Sequence, residues 1–264
     1  SKVKVSGGGR CNVLHDTSKS VSDILNGYPR GKKELNGIMN KHFSPTQAHE
    51  WFTKRGVVLK TEKDGRMFPI TDDSQTIIDT IADDAERNGV IVRTREKVMS
   101  IEKKDEKFIV QIKCSKDSEF MEEHFDCLIL ATGSSPVGHD FAKILGHKII
   151  SPVPSLFTLN AKLQVKEEGI FHGLSGLSVQ NVNISFKYTV PGKKKKKEIS
   201  LDGPLLITHH GLSGPAALRL SAFAARELNG INYRGDVFVH WAPEFGSAEN
   251  IEKILWKLTM SSPK

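Results

Sequence analysis

Cysteine is scarce in this chain, with three in 264 residues, at positions 11, 114 and 127. The number is odd and no two lie two to four residues apart, so neither a disulfide framework nor a zinc knuckle can be assembled. A reducing, intracellular compartment is expected. Long hydrophobic runs are also missing. The longest compact one, at 127–131, falls far short of the ~18 residues that cross a bilayer, and no signal-peptide core opens the sequence. A soluble protein without a membrane partner is expected. Aromatic residues make up only 7%, yet 38% hydrophobic and 26% charged residues lie within the globular range and exclude wholesale disorder. Several catalytic signatures are absent too. There is no HExxH or paired-cysteine metal site, no Walker loop and no GxGxxG turn. The serine segments GLSGL at 173–177 and GLSGP at 211–215 lack the glycine two places after serine that a nucleophile elbow needs. Metal chemistry and serine hydrolysis are therefore not expected.

What remains is a mixed chain with a formal charge of +7 and five consecutive lysines at 193–197. A nucleic-acid interface normally spreads cations over a face with aromatics between them. This run instead follows Pro191-Gly192 and precedes a strand-like stretch, which reads as a solvated hairpin loop, with an anionic partner as the alternative, and no nucleic-acid partner is expected. The chain opens with Ser1, and a helical pattern that begins near Ser247 runs out at Lys264, so the sequence reads as a piece of a longer protein.

Periodicity orders the elements. The glycine cluster at 7–9 comes so early that no helix is expected before it. Two helices follow, one carrying Leu35, Ile38 and Met39, the other opened by Ser44, Pro45 and Gln47 as a capping box and ended by Gly56. Period-two segments at 57–61 and 67–70 flank the turn Lys63-Asp64-Gly65-Arg66. A helix capped by Ser74 carries Ile77, Ile78, Ile81 and Ala85 on one face and stops at Gly89. Strands are expected at 90–93, 98–102, 108–114 and 119–124, leading to 125–131 as a buried, doubly covered strand that ends in Ala131-Thr132-Gly133. Open α/β sheets bind ligands beyond the carboxyl ends of such strands. Pro152 and Pro154 mark a boundary near 150. A β-rich region follows, with strands at 178–188 and 205–208 and one helix at 214–228 ended by Gly230.

The most informative loop is SGGGRCN at 6–12. Three glycines let backbone N–H groups approach a planar ring or a phosphate, although a plain tight turn is an equal reading. Arg10 adds a fork of donors suited to a phosphate or a carbonyl. This loop occurs in order with GRMFP at 65–69, ATG at 131–133, LGH at 145–147, PSL at 154–156 and THHGLSGP at 208–215. That series resembles the BaiN/YhiN-type FAD-dependent oxidoreductases, and the likeness covers almost the whole chain.

The resemblance implies a glutathione reductase-like α/β fold. Residues 1–150 would form a partial FAD-binding domain with a β-meander, 151–243 a β-rich, barrel-like insert, and 244–264 the start of a helical subdomain. It implies FAD as cofactor, NAD(P)H as reductant and a small-molecule acceptor, an activated C=C bond being one choice. Gly7, Gly8, Gly9, Arg10, Cys11 and Asn12 would line the flavin, with Ala131, Thr132 and Gly133. Val98 would offer its backbone to the adenine, or is simply a core valine. Ser213 and Gly214 open a helix whose N–H groups suit an anion or a flavin carbonyl, or Ser213 merely caps it. His209 or His210 is the candidate proton donor, and on a strand only one of them can face the substrate. Members of this family open with a GxGxxG unit and close with a flavin-covering segment, and this sequence contains neither. Cys11 lacks a second cysteine nearby, which argues against thiol–disulfide exchange and for a packing or flavin-contact role. The rival reading is a non-catalytic nucleotide- or RNA-binding module, or a pseudo-enzyme.

Overall fold

The computed structural model describes residues 2–114, 119–161, 169–189 and 196–261. The chain divides into two compact units, Ser1–Ile150 and Ser151–Lys264.

The first unit begins with one helical turn, α1 (Lys2–Val5), which runs into the glycine turn Ser6–Gly9. A single turn does not stand alone. Here the Ser74 hydroxyl donates to the Lys4 carbonyl at 3.0 Å, which ties α1 down where no helix was expected. Next come β1 (Leu14–His15), α2 (Val21–Leu25), α3 (Lys32–Lys41) and α4 (Pro45–Thr53). The predicted capping box on α4 is present: Gln47 N donates to Ser44 Oγ at 3.1 Å and Ser44 N to Gln47 Oε1 at 2.7 Å. The hairpin of β2 (Leu59–Thr61) and β3 (Arg66–Pro69) also forms, and β1 pairs with β3 to give the order β1-β3-β2. Helix α5 (Ser74–Arg87) is capped by Asp73 rather than Ser74, since the Asp73 carboxylate accepts from Gln75 N at 2.9 Å. The meander is an antiparallel sheet of β4 (Lys97–Lys104), β5 (Lys107–Lys113) and β6 (Met121–Phe125), followed by α6 (Pro136–Ile144).

Two strand expectations fail. Residues 90–93 and 126–131 belong to no strand, and Ile91 and Ile129 are 84% and 87% exposed. A central strand needs neighbours on both sides, and among the described residues every strand pair is antiparallel and none involves these segments. Leu128 and Leu130 still pack against Ile101, Val110, Ile112 and Phe141, so one face of the run is covered. A second cluster joins Cys11, Phe52, Val57 and Ile77.

The second unit is one antiparallel sheet. Its strands β7 (Leu159–Asn160), β8 (Ser178–Thr189), β9 (Lys196–Thr208), β10 (Gly211–Ser213) and β11 (Val237–His240) run in the order β11-β8-β9-β10-β7. The two edge strands face a shared cavity of about 630 Å³, with Leu159 and Asn160 on one side and Val237 and Val239 on the other. The sheet is therefore curled but open, and no closed barrel forms among the described residues. Residues 190–195, which hold the first three of the five lysines, lie outside the described residues, while Lys196 and Lys197 begin β9. The helix expected at 214–228 is broken at Ala224 into α7 (Gly214–Phe223) and α8 (Ala225–Gly230), and α9 (Ala248–Ser261) follows β11. Ala216, Ala217 and Leu220 of α7 lie on Val182, Ile184, Phe186 and Leu205 of the sheet. Each large apolar side chain buried there contributes about 1.5–3 kcal/mol.

Candidate functional site

The glycine turn is left-handed: Gly7, Gly8 and Gly9 have φ of 58°, 72° and 89°. The three differ in what surrounds them. A Cβ on Gly7 would stand 2.7 Å from Phe68 Cε1 and 2.9 Å from Asn12 N, so Gly7 is required by packing on the fully buried Phe68 ring. A Cβ on Gly8 would meet nothing within 4 Å, and one on Gly9 only the Lys4 carbonyl at 4.0 Å. Gly8 thus leaves an open backbone surface that a flat group can approach, which fits the edge of a planar cofactor. The residues present do not include a pyrophosphate-binding strand–GxGxxG–helix unit.

Arg10 does not present a free fork. Its Nη1 pairs with Glu62 Oε1 at 2.6 Å and Asp72 Oδ1 at 3.5 Å, and the guanidinium lies 4.0 Å from the Phe68 ring centroid. Lys60 also pairs with Asp72, and the Lys60 hydrogen bond, assisted by Arg10, holds that carboxyl below the usual carboxylate range. Arg10 therefore fastens the turn to the β2–β3 hairpin, and its charge is already matched by acids rather than held out for a phosphate.

Cys11 is 6% exposed and takes a left-handed φ of 61°. Burial among Phe52, Val57 and Ile77 pushes its thiol pKa up, which keeps the thiolate scarce. Cys114 and Cys127 are exposed. In the native protein iodoacetamide is expected to label Cys114 and Cys127 quickly and Cys11 at least about a hundredfold more slowly, because attack requires an accessible thiolate. Peptide mapping reads the three sites, and equal labelling of Cys11 would contradict its packing role.

The second candidate turn, Ala131, Thr132 and Gly133, is exposed, with Gly133 at φ 62°. Lys2 Nζ donates to Ser134 Oγ at 3.3 Å, so the helical turn that feeds the glycine loop is linked to the end of the 125–131 run. Val98 sits on β4, an edge strand, half-buried against Ile101, Val110, Ile112 and Phe141.

Beside the glycine loop lies a cavity of about 380 Å³ that the motif reading missed. Its lining includes Asn12 at the end of the loop, His15 on β1, Tyr28 after α2, Met39 on α3, and Phe43 and Ser44 before α4. Tyr28 and Phe43 are 39% and 52% exposed. The signal was present as two aromatics set among cations, in the stretches Tyr28-Pro29-Arg30-Gly31-Lys32-Lys33 and Lys41-His42-Phe43.

The remaining candidates lie in the second unit. His209 and His210 are on the turn between β9 and β10, both exposed, and not on a strand as expected. The Thr208 hydroxyl shapes that turn by donating to the Gly211 carbonyl at 3.0 Å, so the opposite-faces argument does not apply to this pair. Ser213 gives α7 no side-chain cap, and its hydroxyl instead meets that of Thr158 at 3.2 Å. Gly214 has φ 89°, and a Cβ there would stand 2.9 Å from Leu206 N and 3.0 Å from the Pro204 carbonyl, so this glycine lets the helix start against β9. Among the described residues no cluster of His, Cys, Asp and Glu could hold a metal ion, and no helix is long and apolar enough to cross a membrane.

Two proteins named ribosomal RNA dihydrouridine synthase are similar to the chain. That of Escherichia coli (strain K12) is 27% identical over 230 residues, and the match covers 84% of this chain and 52% of the relative. That of Haemophilus influenzae (strain ATCC 51907 / DSM 11121 / KW20 / Rd) is 26% identical over 237 residues, with the same coverage of 84% and 52%. The chain therefore spans about half the length of the curated relatives it matches. Residues 1–240 match the family described as the HI0933-like protein Rossmann domain. Rossmann domains are dinucleotide-binding folds. The chain belongs to the HI0933-like protein Rossmann domain family.

Proposed function

We propose that the protein carrying this chain is an FAD-dependent oxidoreductase that takes reducing equivalents from NAD(P)H and saturates an activated C=C bond, the C5=C6 bond of a uracil base in RNA. The observation that carries this reading is the open left-handed surface at Gly8, next to a cavity lined by Asn12 and exposed aromatics, in a chain of Rossmann family. The choice of uracil rests on the printed names of the two relatives. In uracil the C5=C6 bond is conjugated to the C4 carbonyl, which makes C6 electrophilic and C5 basic once C6 has been reduced. A bound flavin supplies the hydride for C6, and NAD(P)H restores it.

The chain's own residues have narrower tasks. Gly7 to Asn12, with Ala131, Thr132 and Gly133, hold the planar edge of the cofactor through backbone groups. Arg10 positions that turn through Glu62 and Asp72. Val98, Ser213 and Gly214 stand as further cofactor contacts of the intact protein, and His209 or His210 as the donor of the proton to C5. The domain assignment proposed with it is 1–150 for cofactor binding, 151–243 for the β-rich insert and 244–264 for the start of a helical subdomain.

The test uses the full-length protein that contains this chain. Its absorbance between about 300 and 550 nm should show flavin bands that bleach with NAD(P)H under anaerobic conditions. Uridine-containing RNA should then restore them and gain two hydrogens per modified base by mass spectrometry. Flavin that bleaches and is not reoxidised by RNA would remove uracil as the acceptor. A full-length protein that binds no added FAD would favour the non-catalytic module instead.

A further inference from the structure

We infer that the helical module α2–α4 is the surface on which single-stranded RNA lies, with one base in the cavity between Tyr28 and Phe43 and the neighbouring phosphates on Lys32, Lys33 and Lys41. The inference rests on the uracil reading above and adds where the substrate is held.

Three observations carry it. The first is the pair of exposed rings. Tyr28 and Phe43 line one cavity and remain 39% and 52% exposed, although apolar rings on a charged surface would gain by being covered. Unstacked bases are the natural cover, because every base has a π face and stacks on an aromatic ring regardless of sequence.

The second is charge. The module α2–α4, residues 21–53, holds Arg30, Lys32, Lys33 and Lys41 against Asp23, Glu34 and Glu50, a net charge of +1 from four cations and three acids. Among the described residues Lys33 and Lys41 form no salt bridge, and Lys32 donates to the neutral Asn26 amide oxygen at 3.1 Å. These cations share elements with the cavity. Lys32 and Lys33 open the helix that carries Met39, and Lys41 ends it two residues before Phe43. Elsewhere in the unit Arg10, Arg55, Lys60, Arg66 and Arg93 are matched with carboxylates, whereas the lysines beside this cavity are not. The pattern of cations with interleaved aromatics is that of a single-strand binding surface.

The third is continuity. Asn12, the last residue of the glycine loop, forms part of the cavity wall. A base seated between the rings therefore abuts the loop assigned to the flavin edge. Duplex RNA would not reach in, because its bases are stacked and its readable groove is shallow.

The experiment measures binding of a labelled single-stranded oligouridylate to the full-length protein by fluorescence anisotropy across a salt series. The paired change Tyr28→Ala with Phe43→Ala should weaken binding about ten- to a hundredfold at constant salt, since base stacking on aromatics is of that size. Tyr28→Phe should restore its part. Lys32→Gln, Lys33→Gln and Lys41→Gln together should make the log–log salt slope shallower by about two, as three phosphate contacts to a single strand are lost. All these side chains are at the surface, and unchanged circular dichroism and melting confirm that the variants fold. Unchanged affinity and slope in both variants overturn the surface, as does failure of the parent protein to bind the oligomer. Displacement of the RNA by polyglutamate at equal charge also overturns it, because the surface would then serve any acidic partner. The outcomes separate from the reduction reading. Variant-sensitive binding without dihydrouridine formation sinks the reaction and keeps the surface. Dihydrouridine formation at parental rate in all variants does the reverse.

Discussion

Gly211→Ala is expected to destabilise the second unit by about 4 kcal/mol, combining a left-handed penalty of about 1–3 kcal/mol with backbone displacement. Gly211 has φ 143°, and a Cβ there would stand 2.2 Å from the Leu159 carbonyl oxygen and 2.5 Å from Ala161 N. Both neighbours are backbone atoms of the edge strand and its continuation, so no side chain can rotate away. Relief requires β7 to move off β10, which breaks the Gly211–Asn160 and Leu212–Leu159 pairing and the 2.8 Å bond from Ala161 N to the His210 carbonyl. Gly173→Ala is the matched control. It too has positive φ, at 72°, but its Cβ would meet nothing within 4 Å, so only about 1 kcal/mol is expected. Urea denaturation of the two variants compares them directly, and equal midpoints would show that the β7–β10 contact is slack.

Gly8→Leu is expected to lower the flavin content of the full-length protein about tenfold or more, a loss of roughly 1.4 kcal/mol or more in binding, while leaving the fold intact. The position is open, so a side chain clashes with nothing in the protein and instead covers the surface that a planar ring would need. Left-handed strain alone must be separated from that effect. Gly31→Leu supplies the comparison, since Gly31 has φ 80° with nothing within 4 Å and lies before α3, outside the loop sequence. If the two variants lose equal amounts of flavin, strain is the cause and the loop is not a cofactor surface. The absorbance ratio of flavin to protein, with melting temperature measured alongside, decides between them.

Local signals were readable wherever the physics is local. Ser44 and Gln47 satisfy each other's backbone within four residues, and Lys63 to Arg66 close their own turn, so both were legible without knowing the rest of the chain. The cap of α5 was misplaced by one residue because Asp73 and Ser74 are both good caps. What separates them is the extended backbone of Asp73 and the distant claim of Lys4 on the Ser74 hydroxyl. The run at 125–131 was misread for a different reason. An apolar stretch specifies readiness to be a strand, whereas becoming one depends on partners that no short window contains. The same limit applies to the site. The glycine pattern announced a left-handed turn, but the partners of Arg10 lie 52 and 62 residues onward, and the cavity is assembled from four separate elements. Sequence spacing found the motif residues and could not say which of their donors were already occupied.

The segments at 90–93 and 126–131, which join no sheet among the described residues, have a practical consequence for handling the polypeptide. Both are largely apolar and belong to no strand, with Ile91 and Ile129 almost fully open to water. Such stretches are templates for intermolecular pairing, and proteins usually blunt them with charge, proline or a covering element. Arg93 ends the first segment and Arg95 follows it, while the second opens with Asp126 and has no charge from Cys127 to Ala131. Produced as this stretch alone, the polypeptide should self-associate through the second segment first, with turbidity that rises with salt as its positive net charge is screened, and an aspartate at 129 should act as a gatekeeper that keeps it dispersed.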